Sequence, residues 1–210
     1  MTALDAVTGI ATIARGCVDT VPTTHAAGAR IWLYDNFVGS DQIEYFSSET
    51  VNLQPLTVAT KGTLDAALAP TLTVPIVNRQ NKPYPPAAMS INGTRWDLVT
   101  KISGSMMVTW VQRNRLTQLD QLVDNTMGSV TPEAGTTYTI TLMDASGTPF
   151  YTATGIAGTV WTWPTPDDTH DHIQFTLAAV RGGVSSYQSQ AFPTTLRTGY
   201  GLGFGSNFGG

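Results

Sequence analysis

The stretch PDDTHDH, residues 166–172, packs three carboxylates and two imidazoles into seven residues. In extended backbone His170 and His172 share a side, and Asp167, Asp168 or Asp171 would complete a cation site of nitrogen and oxygen ligands. The same residues describe a solvated polar turn ahead of a strand, and that reading is preferred, with no metal or cofactor expected. His25 stands alone in PTTHAAG, whereas catalysis needs a base, a nucleophile and an orienting group to converge. Arg113 and Arg115 in QRNR suit an ion pair to another subunit or a ligand contact, but a solvated strand end is the favoured reading. Without a triad, a paired-carboxylate constellation or a cofactor fingerprint, the chain is not expected to be an enzyme.

GYGLGFGSNFGG, residues 199–210, has glycine spacing of the nucleotide-binding kind. That motif works only between a strand and a helix whose N-terminus holds the phosphates, and no helical sequence follows it here. The preferred reading is an irregular arm whose Tyr200, Phe204 and Phe208 plug into grooves on a neighbouring subunit, because aromatic rings bring large contact area. Bare aromatics on a floppy tail would be an aggregation liability. Trp161, Trp163 and Tyr187 would stack on sugars if exposed. The two tryptophans, two positions apart on one strand face, are assigned to a core by default. Asn92-Gly93-Thr94 matches the glycosylation pattern, but the turn reading wins.

The composition narrows the setting for these residues. Only 12% of the 210 residues are charged, about half the roughly 25% of ordinary soluble proteins. A surface so poor in charge fits a chain covered by partner subunits, or a Thr/Ser/Gly-rich β protein of the extracellular or virion type. With 11 Lys and Arg against 15 Asp and Glu, and no basic run, the charge argues against a dominant nucleic-acid or anionic-membrane role. Cys17 is the single cysteine, so no intrachain disulfide and no Cys-based zinc site forms. The opening MTALDAVTGIATIARGCV fits a signal peptide poorly, and no stretch approaches the ~20 apolar residues of a membrane span. Synthesis in the cytoplasm of a host cell is expected.

The positioning elements read as β-structure. From residue 87 onward, seven short runs rich in β-branched and aromatic residues alternate with turn signals: 87–91, 105–112, 136–144, 148–155, 158–164, 172–180 and 184–192. TTYTITLMD puts Tyr138, Ile140 and Leu142 on one face and threonines on the other, a face built for a core. Asn92-Gly93 and DASGTP mark sharp reversals. Between the second and third strands, residues 113–135 form a connection longer than usual, with Leu116, Leu119, Leu122 and Val123 spaced for a helical turn.

Upstream, GARIWLYD (28–35), IEYFSS (43–48), TVNLQPLT (50–57) and LTVPIV (72–77) read as strands, and TKGTLDAALAPT (60–71) as a helical turn. The predicted organisation is a β-rich docking domain over 1–80, a proline hinge over 81–86, a β-sandwich over 87–192 and a Gly-aromatic arm over 193–210.

SMMVTWVQ, with Trp110 placed for the core, and IQFTLAAVRGGVSSYQS resemble the second, sixth and seventh strands of fibronectin type III domains. The fold class expected is therefore mainly β, a fibronectin III/immunoglobulin-like sandwich preceded by the docking domain. A second resemblance runs through RGCVDTVPTTHAAGARIWLYD, RQNKPYPPAAMSING, VTWVQRNRL and RTGYGLGFGSNFGG. Together these look like the C-terminal region of tailed-bacteriophage tail and baseplate proteins. The resemblance implies a non-enzymatic structural component of the virion tail, a homo-oligomer attached to other tail proteins through its N-terminal half and its arm. The alternative is a module that binds a receptor or bacterial surface glycan. The family's proteins are several times longer, and nothing carried by their preceding domains transfers.

Overall fold

The computed structural model describes residues 3–31, 43–95, 98–99, 101–102, 105–118, 121–163, 172–191 and 196–198. In chain order, β1 (Ala3–Leu4) pairs with β2 (Ala11–Thr12). Next come β3 (Thr50–Leu53), β4 (Val58–Ala59), β5 (Gly62–Thr63) and β6 (Leu72–Pro75), with the β4–β5 hairpin nested inside the β3–β6 hairpin. The remaining strands are β7 (Ala87–Ile91), β8 (Thr94–Arg95), β9 (Lys101–Ile102), β10 (Met106–Val111), β11 (Thr137–Met143), β12 (Pro149–Ile156), β13 (Val160–Trp163), β14 (His172–Arg181), β15 (Val184–Ser185), β16 (Gln190–Ala191) and β17 (Leu196–Thr198). Among the described residues a single α-helical turn, α1 (Arg115–Gln118), interrupts them.

Two antiparallel sheets dominate. The first has the order β13-β10-β7-β8; the second runs β12-β11-β14, with β15, β16 and β17 each pairing with β14. β17 in turn pairs in parallel with β9. The protein is thus mainly β, built as a sandwich, as the alternating runs predict. The seven runs of the sequence reappear within a few residues of their expected bounds, the last divided into β15 and β16 by a bend at 186–188.

Alternation explains which faces meet. In β11 Tyr138, Ile140 and Leu142 are buried while the threonines between them are half-buried on the other side. β14 answers in register, Tyr138 opposite Ala179, Ile140 opposite Leu177 and Leu142 opposite Phe175. The first sheet contributes Met89, Ile91, Met106, Val108, Trp110 and Trp163 to the same core. Trp110 meets Tyr138 edge to face, 5.1 Å between ring centroids, a geometry worth about 0.5–1.5 kcal/mol beyond burial alone.

The turns behave as their residues dictate. Asn92 and Gly93 both take positive φ (48° and 78°), the backbone twist that closes a two-residue hairpin between β7 and β8. The Asn92 side chain also accepts from Met107 N at 2.8 Å and donates to Ser105 O at 3.1 Å, tying the turn to β10. At 144–148, Asp144 Oδ1 accepts from the backbone N of Ser146 and Thr148, both 2.9 Å.

The chain divides into two compact units, His25–Asn81 and the combination of Met1–Thr24 with Lys82–Gly210. The expected docking domain, 1–80, therefore loses its first 24 residues to the sandwich unit. They join it through polar contacts that composition does not reveal: Asn125 N donates to Arg15 O and Val21 N to Gln188 Oε1, both at 2.8 Å. Gly16 sits so close to Pro22 that a Cβ there would lie 2.7 Å from the proline ring. Pro83, Pro85 and Pro86 of the expected hinge are buried, and Pro86 O accepts from Gln190 Nε2 at 2.9 Å. The proline segment is part of the sandwich's wall.

In the 25–81 unit, β3, β6 and a 3-10 turn at Ala66–Leu68 fall where strands and a helical turn were expected. Residues 43–48 form no strand; Glu49 accepts from Phe46 N through Oε2 at 2.8 Å and closes a turn there. Residues 28–31 are also outside any strand, and the rest of GARIWLYD lies outside the described residues.

Burial pushes the Tyr138 hydroxyl up to about 12, whereas an unfolded tyrosine ionises near pH ~10. Because the folded value is the higher one, the stabilisation is complete below pH ~10 and is lost as pH rises toward ~12, where only the unfolded chain sheds the proton. Urea unfolding between pH 9 and 12 is expected to show a loss of about 2–3 kcal/mol, shallower in Tyr138→Phe. Tyr84, also raised by burial, adds to the slope in the same direction. Identical slopes in the two proteins would refute this assignment.

Candidate assembly surface

The hairpin of β3 and β6 has a register of Thr50 with Pro75, Val51 with Val74, Asn52 with Thr73 and Leu53 with Leu72. Side chains alternate across a strand, so Val51, Leu53, Leu72 and Val74 occupy one face and Thr50, Asn52, Thr73 and Pro75 the other. The polar face is knitted by Thr73 Oγ1 donating to Asn52 Oδ1 at 3.1 Å. Backbone pairing continues past the strands, with Ile76 N donating to Glu49 O (2.8 Å) and Ser48 N to Ile76 O (2.9 Å). At the other end Gln54 Nε2 reaches Ala66 O (3.2 Å), and Asp65 caps the 3-10 turn through Ala67 N (2.9 Å).

A sheet with one apolar face ordinarily packs that face against another layer. Here Leu53 is 49%, Leu72 53% and Val74 41% exposed, and Val51 is half-buried. Among the described residues of the 25–81 unit only Ala69 is buried, while Ile31, Ile43, Phe46, Leu56, Val58, Leu68 and Val77 are all exposed. Among its described residues the unit is held by local hydrogen bonds and shows no buried apolar cluster.

The N-terminal hairpin repeats the pattern on a smaller scale. Asp5 organises its turn by accepting from Val7 N and Thr8 N and from Thr8 Oγ1 at 2.6 Å; the Thr8 hydroxyl is the main reason its carboxyl is held below the usual range. Around that polar turn Leu4, Val7, Ile10 and Ile13 are exposed, Val7 almost completely.

The sandwich unit contains a buried polar network under the long 113–135 connection. The Arg113 guanidinium, 5% exposed, donates to four carbonyls: Gln112 O and Gly128 O from Nη1, both 2.9 Å, and Asp124 O and Met127 O from Nη2 at 2.7 and 3.0 Å. Burial lowers its pKa, partly offset by the nearby Asp124. The solvated strand end expected for Arg113 is thus replaced by an internal clamp on the loop. Next to it Asn114 caps α1 through Oδ1, accepting from Leu116 N and Thr117 N, and Gln118 Oε1 returns to Asn114 N at 2.6 Å. Arg115 pairs with the buried Glu133 carboxylate at 3.0 and 3.1 Å, and Arg181 Nε lies 3.4 Å from its Oε2. Asn125 Oδ1 accepts from Ala88 N and Gln190 Nε2. The Asn ahead of RLTQ was readable as a helix cap; nothing in the sequence separates the buried Arg113, Glu133 and Gln190 from surface residues.

Of the residues singled out from the sequence, Trp110, Tyr138, Ile140 and Leu142 lie in the core. Tyr200, Phe204, Phe208, Asp168 and His170 lie outside the described residues, and His172 is described only as a position in β14 opposite Arg197. Among the described residues no group of three or more His, Cys, Asp and Glu is placed to hold a metal. Trp163 is buried, 9% exposed; Trp161 is half-buried against the core with Tyr151 beside it, 6.0 Å between centroids. Tyr187 is exposed beneath Lys82, whose Nζ is 5.6 Å from the ring centroid. A groove of about 220 Å³ is lined by Ile13, Arg15, Pro22, Arg95 and the Asp124–Thr126 segment. Burial raises the Cys17 thiol. No described helix is long and apolar enough to cross a membrane.

No protein-family model matches the sequence, and no curated protein matches it.

Replacing Arg113 with Ala removes donors from four loop carbonyls and is expected to cost roughly 3 kcal/mol or more by urea denaturation. Arg113→Lys recovers little of this, since an ammonium cannot span the four acceptors that the planar fork reaches. Protease cutting within 121–130 should accelerate in both variants. Wild-type stability in Arg113→Ala would remove the clamp from the account.

Proposed function

We propose that this chain is a non-enzymatic structural component of a bacteriophage tail or baseplate, attached to the particle through its 25–81 unit and N-terminal hairpin and presenting a fibronectin type III-like sandwich. The observation that carries the reading is the 25–81 unit, paired into hairpins yet with only Ala69 buried among its described residues. A segment of that kind gains its apolar cover from a neighbour on assembly. The low charge of the chain supports the same conclusion, because a surface enclosed by other subunits needs few charges for solubility. The sheet order β13-β10-β7 against β12-β11-β14-β15 supports the fibronectin-like reading of the sandwich. The tail assignment itself rests on the sequence resemblance.

The glycan-binding alternative requires an exposed platform of aromatic rings. Of the three candidate rings Trp163 is buried and Trp161 packs on the core, leaving Tyr187 exposed beneath Lys82, and a single ring without a platform favours the structural role over the binding one. The partners on this reading are other tail or baseplate proteins and further copies of the chain, and its location is the virion, after synthesis in the host cytoplasm.

Particles purified on density gradients from the bacterium that carries the gene are expected to contain the chain in a fixed ratio to the other tail proteins, as read by tryptic mass spectrometry. Limited proteolysis should cut 25–81 in the isolated protein and spare it in the particle. Intact particles without the chain would overturn the assignment.

A further inference from the structure

We infer that residues 13–23 form a strained latch on the sandwich, which opens and recloses while the two sheets stay together. One backbone contact holds it near each end: Asn125 N donates to Arg15 O and Val21 N to Gln188 Oε1, both at 2.8 Å. Between these points Cys17 O accepts from Thr20 N (3.2 Å) and Thr20 Oγ1 (2.7 Å) to close a turn, and the Arg15 guanidinium donates to Thr23 O, joining the ends of the segment to each other. The latch is thus a closed loop that moves as one piece. None of the described residues from 3 to 24 is buried, and none belongs to the core cluster. Its release therefore leaves intact the apolar burial that keeps the sheets closed. A groove of about 220 Å³ has Ile13, Arg15 and Pro22 of the latch and Asp124–Thr126 of the long connection in its lining, so the two are not closely packed along it.

The turn itself opposes closure. Val18 has φ 58°, left-handed backbone that a β-branched residue rarely enters because its Cβ crowds the following carbonyl oxygen. For an L-residue that conformation is disfavoured by a factor of about 5–30. Gly16, also at positive φ (63°), lies so near its neighbours that a Cβ would come 2.7 Å from the Pro22 ring and 3.0 Å from Asn125 Cβ. Glycine stands where the latch fits most tightly, and valine where the backbone suits it least. Asn125 carries the effect into the connection: its N–H takes its acceptor from the latch, while its Oδ1 is held by Ala88 N (3.3 Å) and Gln190 Nε2 (2.9 Å), and Arg113 holds the carbonyls of Asp124 and Met127 on either side. Opening withdraws one acceptor from the 124–128 segment, which loosens but keeps its anchor. It also lengthens the tether of the β1–β2 hairpin, with its exposed Leu4, Val7 and Ile10.

The experiment is amide hydrogen exchange by NMR on the full chain, comparing the parent with Val18→Gly, Val18→Ala and Gly16→Ala. Val21 and Asn125 are expected to share one opening constant, about 100-fold or more above that of the β11 amides, which are paired on both sides and exchange only when the sheets part. Val18→Gly and Val18→Ala both shed the branched side chain, but only glycine removes the Cβ that opposes positive φ. The latch should therefore open about threefold or more less often in Val18→Gly than in Val18→Ala. Gly16→Ala should open it about tenfold or more above the parent, and the Val18 pair decides the matter even if that variant fails to fold. Urea unfolding followed by tryptophan fluorescence checks that each variant keeps a cooperative sandwich. Exchange of Val21 and Asn125 at the rate of the β11 amides would make the segment part of the global fold. Unequal opening constants at the two sites would show that no single latch exists, and a glycine variant that opens as often as the alanine one would remove the strain. Any of these overturns the inference.

Discussion

At the middle of the sandwich the Trp110 ring meets Tyr138 edge to face, and around that contact the inner faces of two sheets exclude water from each other. Each sheet has an apolar side because its strands alternate, and neither side is stable exposed. The rest of the unit follows from their mutual closure. β10 must carry Met106, Val108 and Trp110 inward, which fixes its register against β7 and β13; β11 must carry Tyr138, Ile140 and Leu142 inward, which fixes its register against β14. A slip of one residue in either strand would turn its whole apolar set outward. The long connection between β10 and β11 then has to leave one sheet and enter the other. Its backbone carbonyls, turned toward the protein, find their donors in Arg113, which begins the connection.

The 25–81 unit obeys the same alternation with the opposite outcome. Its main hairpin sorts aliphatic from polar residues as cleanly as β11 does, but Leu53, Leu72 and Val74 stay exposed. The contrast within one chain is what gives the exposed face meaning. Scattered surface leucines are ordinary on any protein, whereas a register that collects four aliphatic side chains on one side of a hairpin is the pattern of half a core.

Much of the sandwich was legible from period-2 alternation and turn chemistry: the strands around Trp110 and Tyr138 and the Asn92-Gly93 reversal lie where those signals put them. These are local properties, set by neighbours in sequence. The membership of residues 1–24 in the sandwich unit was not legible, because it depends on single amide contacts such as Asn125 to Arg15 and Gln188 to Val21, between residues more than a hundred positions apart. Arg113 was misread for a related reason. An arginine at a strand end looks solvated until the loop that follows is seen to fold its carbonyls around the guanidinium. The openness of the β3–β6 face was equally hidden, since alternation announces an apolar face without saying what lies opposite it.

Asn92 has a consequence for the chemical ageing of the molecule. An asparagine followed by glycine is prone to cyclise, the Gly93 nitrogen attacking the side-chain carbonyl and expelling ammonia to give a succinimide, which water then opens to isoaspartate or aspartate. That attack requires the side chain to swing back over its own following peptide. Here Oδ1 accepts from Met107 N on β10 and Nδ2 donates to Ser105 O just ahead of it, so both ends of the amide are already engaged. Cyclisation at residue 92 therefore competes with these two hydrogen bonds, so the contacts that tie the turn to β10 also slow its chemical ageing.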